Sequence, residues 1–257
     1  MLSDRQRDIL ALIETEGAQY IEHLAARYSL TTQTVRRDIN ALCDAGFARR
    51  FHGGVDVPVE GRNISVNARV ALNSSAKRRI AARIAAAIIP NTTVFMGIGS
   101  TVQFVADALR DHEGLTVITN NMDVALTLSE APQIEVHMTG GLLRHNDRDV
   151  VGGDAIRFFE KFYANYAVIG AGALHPTNGL LDFSYSEAQI TSVLIDNSRT
   201  QFLAADVSKW SRDASVRVVP FNKVSCLYTD RLPPDEEVAR KLAEAEVDVV
   251  LCDDEKL

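Results

Sequence analysis

Seven short apolar runs recur between residues 93 and 252, and most are separated by stretches with helical spacing. They are TVFMGI (93–98), LTVIT (115–119), IEVHMT (134–139), NYAVIG (165–170), QFLAAD (201–206), VSCLYT (224–229) and VDVVLC (247–252). Helices fit 101–112, 122–131, 154–162, 185–198 and 235–245. This alternation predicts an α/β fold, a mostly parallel sheet covered by helices on both faces. AKRRIAARIAAAII, from Ala76, reads as a further helix that Pro90-Asn91 breaks, so the α/β domain is expected to span 76–257.

The first 57 residues follow another pattern. SDRQRDILALIETE places Ile9, Leu10, Leu12 and Ile13 on one helical face, with Ser3 or Asp4 to cap its start and Gly17 to close it. Tyr20 to Tyr28 reads as a second short helix, with Ile21, Leu24 and Ala25 inward. Thr31 or Thr32 caps a third, in which Val35, Ile39 and Leu42 recur at helical spacing up to Asp44. FARRFHGGVDV alternates and turns at Gly53-Gly54, a hairpin signature. Three helices and a β wing, with a short turn between the last two helices, form a winged helix-turn-helix layout over 1–57. Residues 58–75, polar and without periodicity, read as a linker.

The charge distribution agrees with a nucleic-acid partner for the first domain. The chain carries a net charge of -7, yet Arg27 to Val55 holds five arginines against Asp38 and Asp44, a local charge of +3. The remaining residues therefore carry -10. Such asymmetry points to a basic head on an acidic body. No apolar run approaches the roughly 20 residues of a membrane span, and the N-terminus has no apolar signal core, so a cytoplasmic location and no membrane partner are expected. Cys43, Cys226 and Cys252 have no metal-ligand spacing; reduced thiols, no metal and no cofactor are expected.

TTQTVRRDINAL (31–42) suits a helix that enters the major groove. Thr31, Thr32, Gln33 and Thr34 form a polar helix start that can donate to phosphates. Arginine's planar fork matches guanine O6 and N7. Arg36 and Arg37 lie about 100° apart around a helix, so one is expected to read a base and the other to meet a phosphate. Asp38 is expected to orient an arginine or tie the helix to its neighbour. Arg49, Arg50 and His52 on the wing suit backbone or minor-groove contact.

In the second domain, GIGST (97–101) ends a strand and opens a helix, where glycines permit close approach and free amides favour an anion. Gly99, Ser100 and Thr101 are the expected phosphate contacts. Asn120, Asn121, Gly140, Gly141, Gly170 and Gly172 occupy other strand C-terminal ends, the edge at which open α/β sheets bind ligands. Small, amide-bearing loops suggest a small polar ligand. Lys209 is placed to meet its phosphate or a carboxylate, Glu187 its hydroxyls, and Arg144 to add positive charge.

Arg5, Ile9, Ile13, Thr31, Thr34, Val35, Arg36, Arg37, Asp38 and Ile39 stand at the spacing of the DeoR-type helix-turn-helix signature, and RRFHGG (49–54) resembles that family's wing. The resemblance continues through TNNMDVA (119–125), TGGLLR (139–144) and AADVSKW (204–210), nearly the entire chain. It implies a bacterial transcription regulator, mostly a repressor, of sugar or sugar-phosphate metabolism, with a sensor domain related in fold to sugar-phosphate isomerases. It favours Glu187 and Lys209 over Arg144 as ligand contacts. GLLDFSYSEAQ (179–189) carries the LxFxYxE pattern of one subgroup, which implies glycerol 3-phosphate as first-choice effector, another sugar or polyol phosphate following. Double-stranded operator DNA and a phosphorylated small molecule are the expected partners. A single small helix-turn-helix supplies too little specific contact, so a homodimer or homotetramer is expected.

The alternative is a sugar-phosphate isomerase or deaminase-like enzyme with an added DNA-binding domain. Such chemistry needs a base beside a carbonyl. The corresponding loop, GAGALHPTNG (170–179), has no carboxylate, and Gly97 stands where many family members carry aspartate, which leaves fewer acids near the pocket, so binding without turnover is predicted. A third reading keeps the second domain as a ligand-free dimerisation module.

Overall fold

The computed structural model describes residues 2–44, 47–51, 53–56 and 66–253. The chain forms two compact units, Met1–Leu72 and Asn73–Leu257.

In the first unit, α1 (Asp4–Glu16), α2 (Ile21–Arg27) and α3 (Thr32–Asp44) pack around one core. Ser3 caps α1 reciprocally with Gln6, and Gly17, at φ 78°, ends it. Ile9, Ile13, Leu24, Val35, Ile39 and Leu42 are at most 1 % exposed, as their helical spacing requires. The wing holds one strand more than the expected hairpin. β1 (Gln19–Tyr20) pairs with β3 (Gly54–Asp56), which pairs in turn with β2 (Arg49–Phe51). Two residues are too few to show a period, and Tyr20, expected to open the second helix, belongs to β1 instead. A Cβ on Gly54 would stand 2.6 Å from the Gln19 carbonyl oxygen, so this close pairing requires glycine. Of the expected linker, 58–65 lies outside the described residues; Val66–Ala71 forms a helix, α4.

The second unit is a seven-stranded, wholly parallel sheet. In chain order it comprises α5 (Ser74–Ala87), β4 (Thr93–Met96), α6 (Ser100–Ala108), β5 (Thr116–Thr119), α7 (Met122–Ser129), β6 (Glu135–Met138), β7 (Leu142–Arg144), β8 (Asp149–Val151), α8 (Gly153–Phe159), β9 (Ala164–Ile169), β10 (Ala173–His175), β11 (Gly179–Asp182), α9 (Tyr185–Asp196), β12 (Ser198–Ala204), β13 (Val216–Arg217), β14 (Cys226–Thr229), α10 (Glu236–Glu244) and β15 (Asp248–Leu251). The sheet order is β15-β14-β12-β9-β4-β5-β6. All seven apolar runs lie in it.

Successive residues face opposite sides. Val94 and Met96 pack with Ile80 and Ile84 of α5, Val102 and Val105 of α6, and Val124 of α7. Phe95 joins Phe159 of α8, Leu194 of α9 and Leu242 of α10. Both faces are therefore dry, and the strands read as continuous apolar runs. Two small antiparallel elements stand outside the sheet, β7-β8 and β10-β11-β13. Among the described residues, no helix is long and apolar enough to cross a membrane.

Candidate functional site

Burial of Val35, Ile39 and Leu42 leaves Gln33, Arg36, Arg37 and Asn40 exposed on α3. Their spacing of three and four residues places all four on one polar face. Thr31 is the cap: its Oγ1 accepts the Thr34 amide at 3.2 Å and lies 2.9 Å from the Thr34 hydroxyl. Thr32, the first helical residue, is exposed. Asp38 is buried and accepts hydrogen bonds from Arg5 Nε at 2.7 Å and Gln6 Nε2 at 3.3 Å, so it ties α3 to α1. This is the brace expected of it. Arg50 is exposed on β2, while His52 and the side chain of Arg49 lie outside the described residues.

In the second unit, the chain runs from β4 outward through β5 and β6, then returns to β9 on the other flank. Connections leaving neighbouring strands in opposite directions open a crevice at their C-terminal ends. Gly97 continues the β4–β9 pairing, its amide 3.0 Å from the Val168 carbonyl oxygen. A Cβ at Gly97 would come within 3.3 Å of Leu194 Cδ1, so Leu194 of α9 presses on the space where an aspartate would stand. Gly99, at φ 127°, begins α6 without a side-chain cap. The first helical bond ends on the Gln103 amide. The amides of Ser100, Thr101 and Val102 thus precede the helical ladder, an anion-binding arrangement. Ser100 and Thr101 are themselves buried.

The two asparagines after β5 differ. Asn121 caps α7 through its Oδ1, and its Nδ2 donates to the Gly97 carbonyl at 3.4 Å. Asn120 Nδ2 donates to the Val150 carbonyl at 3.1 Å, but its buried Oδ1 has no partner among the described residues. A buried acceptor without a donor is costly. Gly140 and Gly141 line an open groove of about 460 Å³ with Asp154, Arg157 and Lys161. A Cβ on Gly170 would stand 3.2 Å from the Ile98 carbonyl oxygen, and one on Gly172 3.0 Å from the Phe183 ring and 3.1 Å from Asp182 Cα.

Arg144 carries a cluster that the sequence did not disclose. Its Nε and Nη2 grip Asp149 at 2.7–3.0 Å, its Nη1 pairs with Glu187, and Asp147 lies 3.7 Å away. Asp149 is 0 % exposed and Glu187 3 %. Asp149 also bridges to Asn121, so the cluster adjoins the loop after β5. Burial pushes the Glu187 carboxyl far above its usual range, and Asp182, which shares a hydrogen bond with it, pushes the same way; Arg144 opposes both. Burial likewise raises Asp149 despite Arg144. Acids gather around Arg144 all the same. Residues 170–179 contribute none, but Asp147, Asp149, Asp182 and Glu187 gather from β7-β8, β11 and α9. The charge-dense RHNDRD between two apolar pairs was the available signal.

Lys209 lies buried in the 3₁₀ turn Val207–Ser211, after β12. Burial alone would raise the neighbouring Asp206 carboxyl, but Lys209, the Ser208 hydroxyl and Lys77 outweigh it and hold it below its usual range.

Residues 5–60 match the DeoR-like helix-turn-helix domain, and residues 72–231 match the DeoR C terminal sensor domain. The chain is similar to the glycerol-3-phosphate regulon repressor of Escherichia coli (strain K12), at 32 % identity over 250 residues, covering 97 % of this chain and 99 % of that protein. The protein of the same name in Haemophilus influenzae is 34 % identical over 248 residues, covering 96 % of each. Similar solved structures include ribose 5 phosphate isomerase A from Neisseria gonorrhoeae, at 15 % identity and a TM-score of 0.39, covering 52 % of each chain. A helix-turn-helix head joined to a sensor of this kind makes a DNA-binding transcriptional regulator that answers to a small molecule, not an enzyme. The chain belongs to the DeoR family.

Proposed function

We propose that the protein is an oligomeric repressor released from its operator by a phosphorylated polyol or sugar, with glycerol 3-phosphate the first choice. The exposed face of α3 enters the major groove. One of Arg36 and Arg37 reads a base edge and the other holds a phosphate, while the wing meets the backbone. The observation that carries the effector reading is the crevice: open amides at the start of α6 suit a phosphate, and the donorless Asn120 oxygen after β5 suits a hydroxyl. Lys209 and Glu187 complete the candidate contacts. Two linked heads read repeated half-sites, and the effector favours an arrangement in which the heads no longer match that spacing. Thermodynamically, the ligand must bind the released state better than the operator-bound state.

A thermal-shift screen of phosphorylated polyols and sugars, followed by operator binding measured with each hit, tests this. The expected result is stabilisation by glycerol 3-phosphate and loss of operator affinity at the same concentration. Binding without any change in operator affinity contradicts the switch. No stabilisation by any member of the panel would favour a sensor fold kept only for oligomerisation.

A further inference from the structure

Two consecutive residues at the junction are anchored in different units. Leu72 packs on the hydrophobic core of the first. Asn73, the first residue of the second, adopts a left-handed conformation at φ 50° and starts α5. An asparagine at a helix start ordinarily accepts a backbone amide of its own first turn. Asn73 does not. Its Nδ2 instead donates at 3.0 Å to Oδ1 of Asp206, 133 residues away. Its carbonyl oxygen meanwhile accepts the Lys77 amide at 3.0 Å, the opening bond of α5. Asparagine tolerates a left-handed backbone, so what calls for an explanation is a distant hydrogen bond held in exchange for a local cap.

Asp206 supplies one. It is 2 % exposed at the C-terminal end of β12. Its Oδ1 accepts from the Ser208 amide at 3.1 Å and hydroxyl at 2.5 Å as well as from Asn73. The ammonium groups of Lys209 and Lys77 both act on this carboxylate. One buried carboxylate thus joins the first turn of α5 to the turn that carries Lys209.

We propose that the Asn73–Asp206 hydrogen bond is the transmission point between the sensor crevice and the DNA-binding head. An anion drawn to Lys209 competes with Asp206 for its ammonium, and the altered carboxylate then changes its hold on the residue from which the chain leaves for the head. The ligand half of this inference rests on the effector reading above.

Asn73→Gly keeps the left-handed backbone without strain and deletes only the side-chain bond. Asn73→Asp sets a second carboxylate against Asp206. Each full-length variant is compared with wild type for affinity to an operator selected from random duplexes, first without ligand and then with glycerol 3-phosphate. Without ligand, both should move operator affinity in the same direction, by at least about fivefold, the lower end of ordinary coupling. With ligand, the response of Asn73→Gly should shrink by a similar factor. Amide exchange at Lys77 reports whether the first turn of α5 has loosened. Wild-type operator affinity and response in both variants, whether or not exchange at Lys77 quickens, would overturn the proposal. Wild type that responds to no phosphorylated polyol or sugar overturns the effector reading instead, and the ligand-free comparison still decides transmission.

Discussion

Arg144→Met removes the guanidinium while keeping most of the side-chain volume. Asp149, wholly buried, then loses three hydrogen bonds of 2.7–3.0 Å to that group. Breaking a buried pair from one side costs about 3–5 kcal/mol. Two features reduce this. The Arg144 side chain is 22 % exposed, so its pair is partly screened. Burial already raises Asp149, so the stranded carboxyl escapes part of the penalty by taking up a proton. The expected loss is roughly 3 kcal/mol at pH 8, or about 6–12 °C in melting temperature for a domain of this size. The sign with pH follows from linkage. Without Arg144 the folded-state pKa of Asp149 rises further above the unfolded value, so stability is lost as pH climbs through the ordinary aspartate range and beyond. The deficit should therefore be smaller at pH 5 than at pH 8. Calorimetric melting at both values measures it, and Arg144→Met combined with Asp149→Asn should recover part of it, the remainder being the Glu187 contact that Arg144 also supplies. A single variant that melts within about 2 °C of wild type at pH 8, or a deficit larger at pH 5, would refute the reasoning.

Other consequences are equally measurable. Arg36→Ala and Arg37→Ala should differ: the base-reading position relaxes preference at one base pair by about 1–3 kcal/mol, and the phosphate-holding position weakens all sequences and lowers the salt slope. Matching effects on a randomised operator panel would contradict the division of roles. Glu187, raised in the folded state, costs wild type stability as pH climbs above the ordinary glutamate range. Glu187→Gln should flatten that decline, gaining at least about 1 kcal/mol on wild type between pH 5 and 8 in urea titrations; parallel curves would count against it. Thr31→Ala removes the cap of α3 and should cost about 1 kcal/mol of head stability, with operator affinity falling in step. Unchanged denaturation would leave the cap without energetic weight.

What was legible in the chain follows from how each part is buried. The seven sheet strands are dry on both faces, so each one announces itself as a short apolar run. The face of α3 was equally plain, because Val35, Ile39 and Leu42 recur at helical spacing within one segment. The short antiparallel strands were not, since β7, β8, β10 and β11 hold three or four residues each and lack a measurable period. Residues 66–75 show the same limit: α4 has six residues, and α5 begins within the supposed linker, at Ser74. The charge cluster escaped notice for another reason. Arg144, Asp182 and Glu187 meet only through the tertiary fold, and RHNDRD, though charge-dense, does not tell which of its acids engages Arg144. Asn120 and Asn121 look alike in sequence, yet Asn121 is used as a cap while Asn120 keeps an oxygen without a donor among the described residues.

The central claim is that one ligand couples the crevice to DNA. Its most direct test is fluorescence anisotropy of a labelled operator duplex, titrated with full-length protein at fixed salt, with and without glycerol 3-phosphate at a concentration that saturates the sensor. The account predicts a Kd weakened about 5- to 150-fold by the ligand. The same factor should appear as weaker ligand binding to the operator-bound protein. An unchanged Kd under saturating ligand would contradict it.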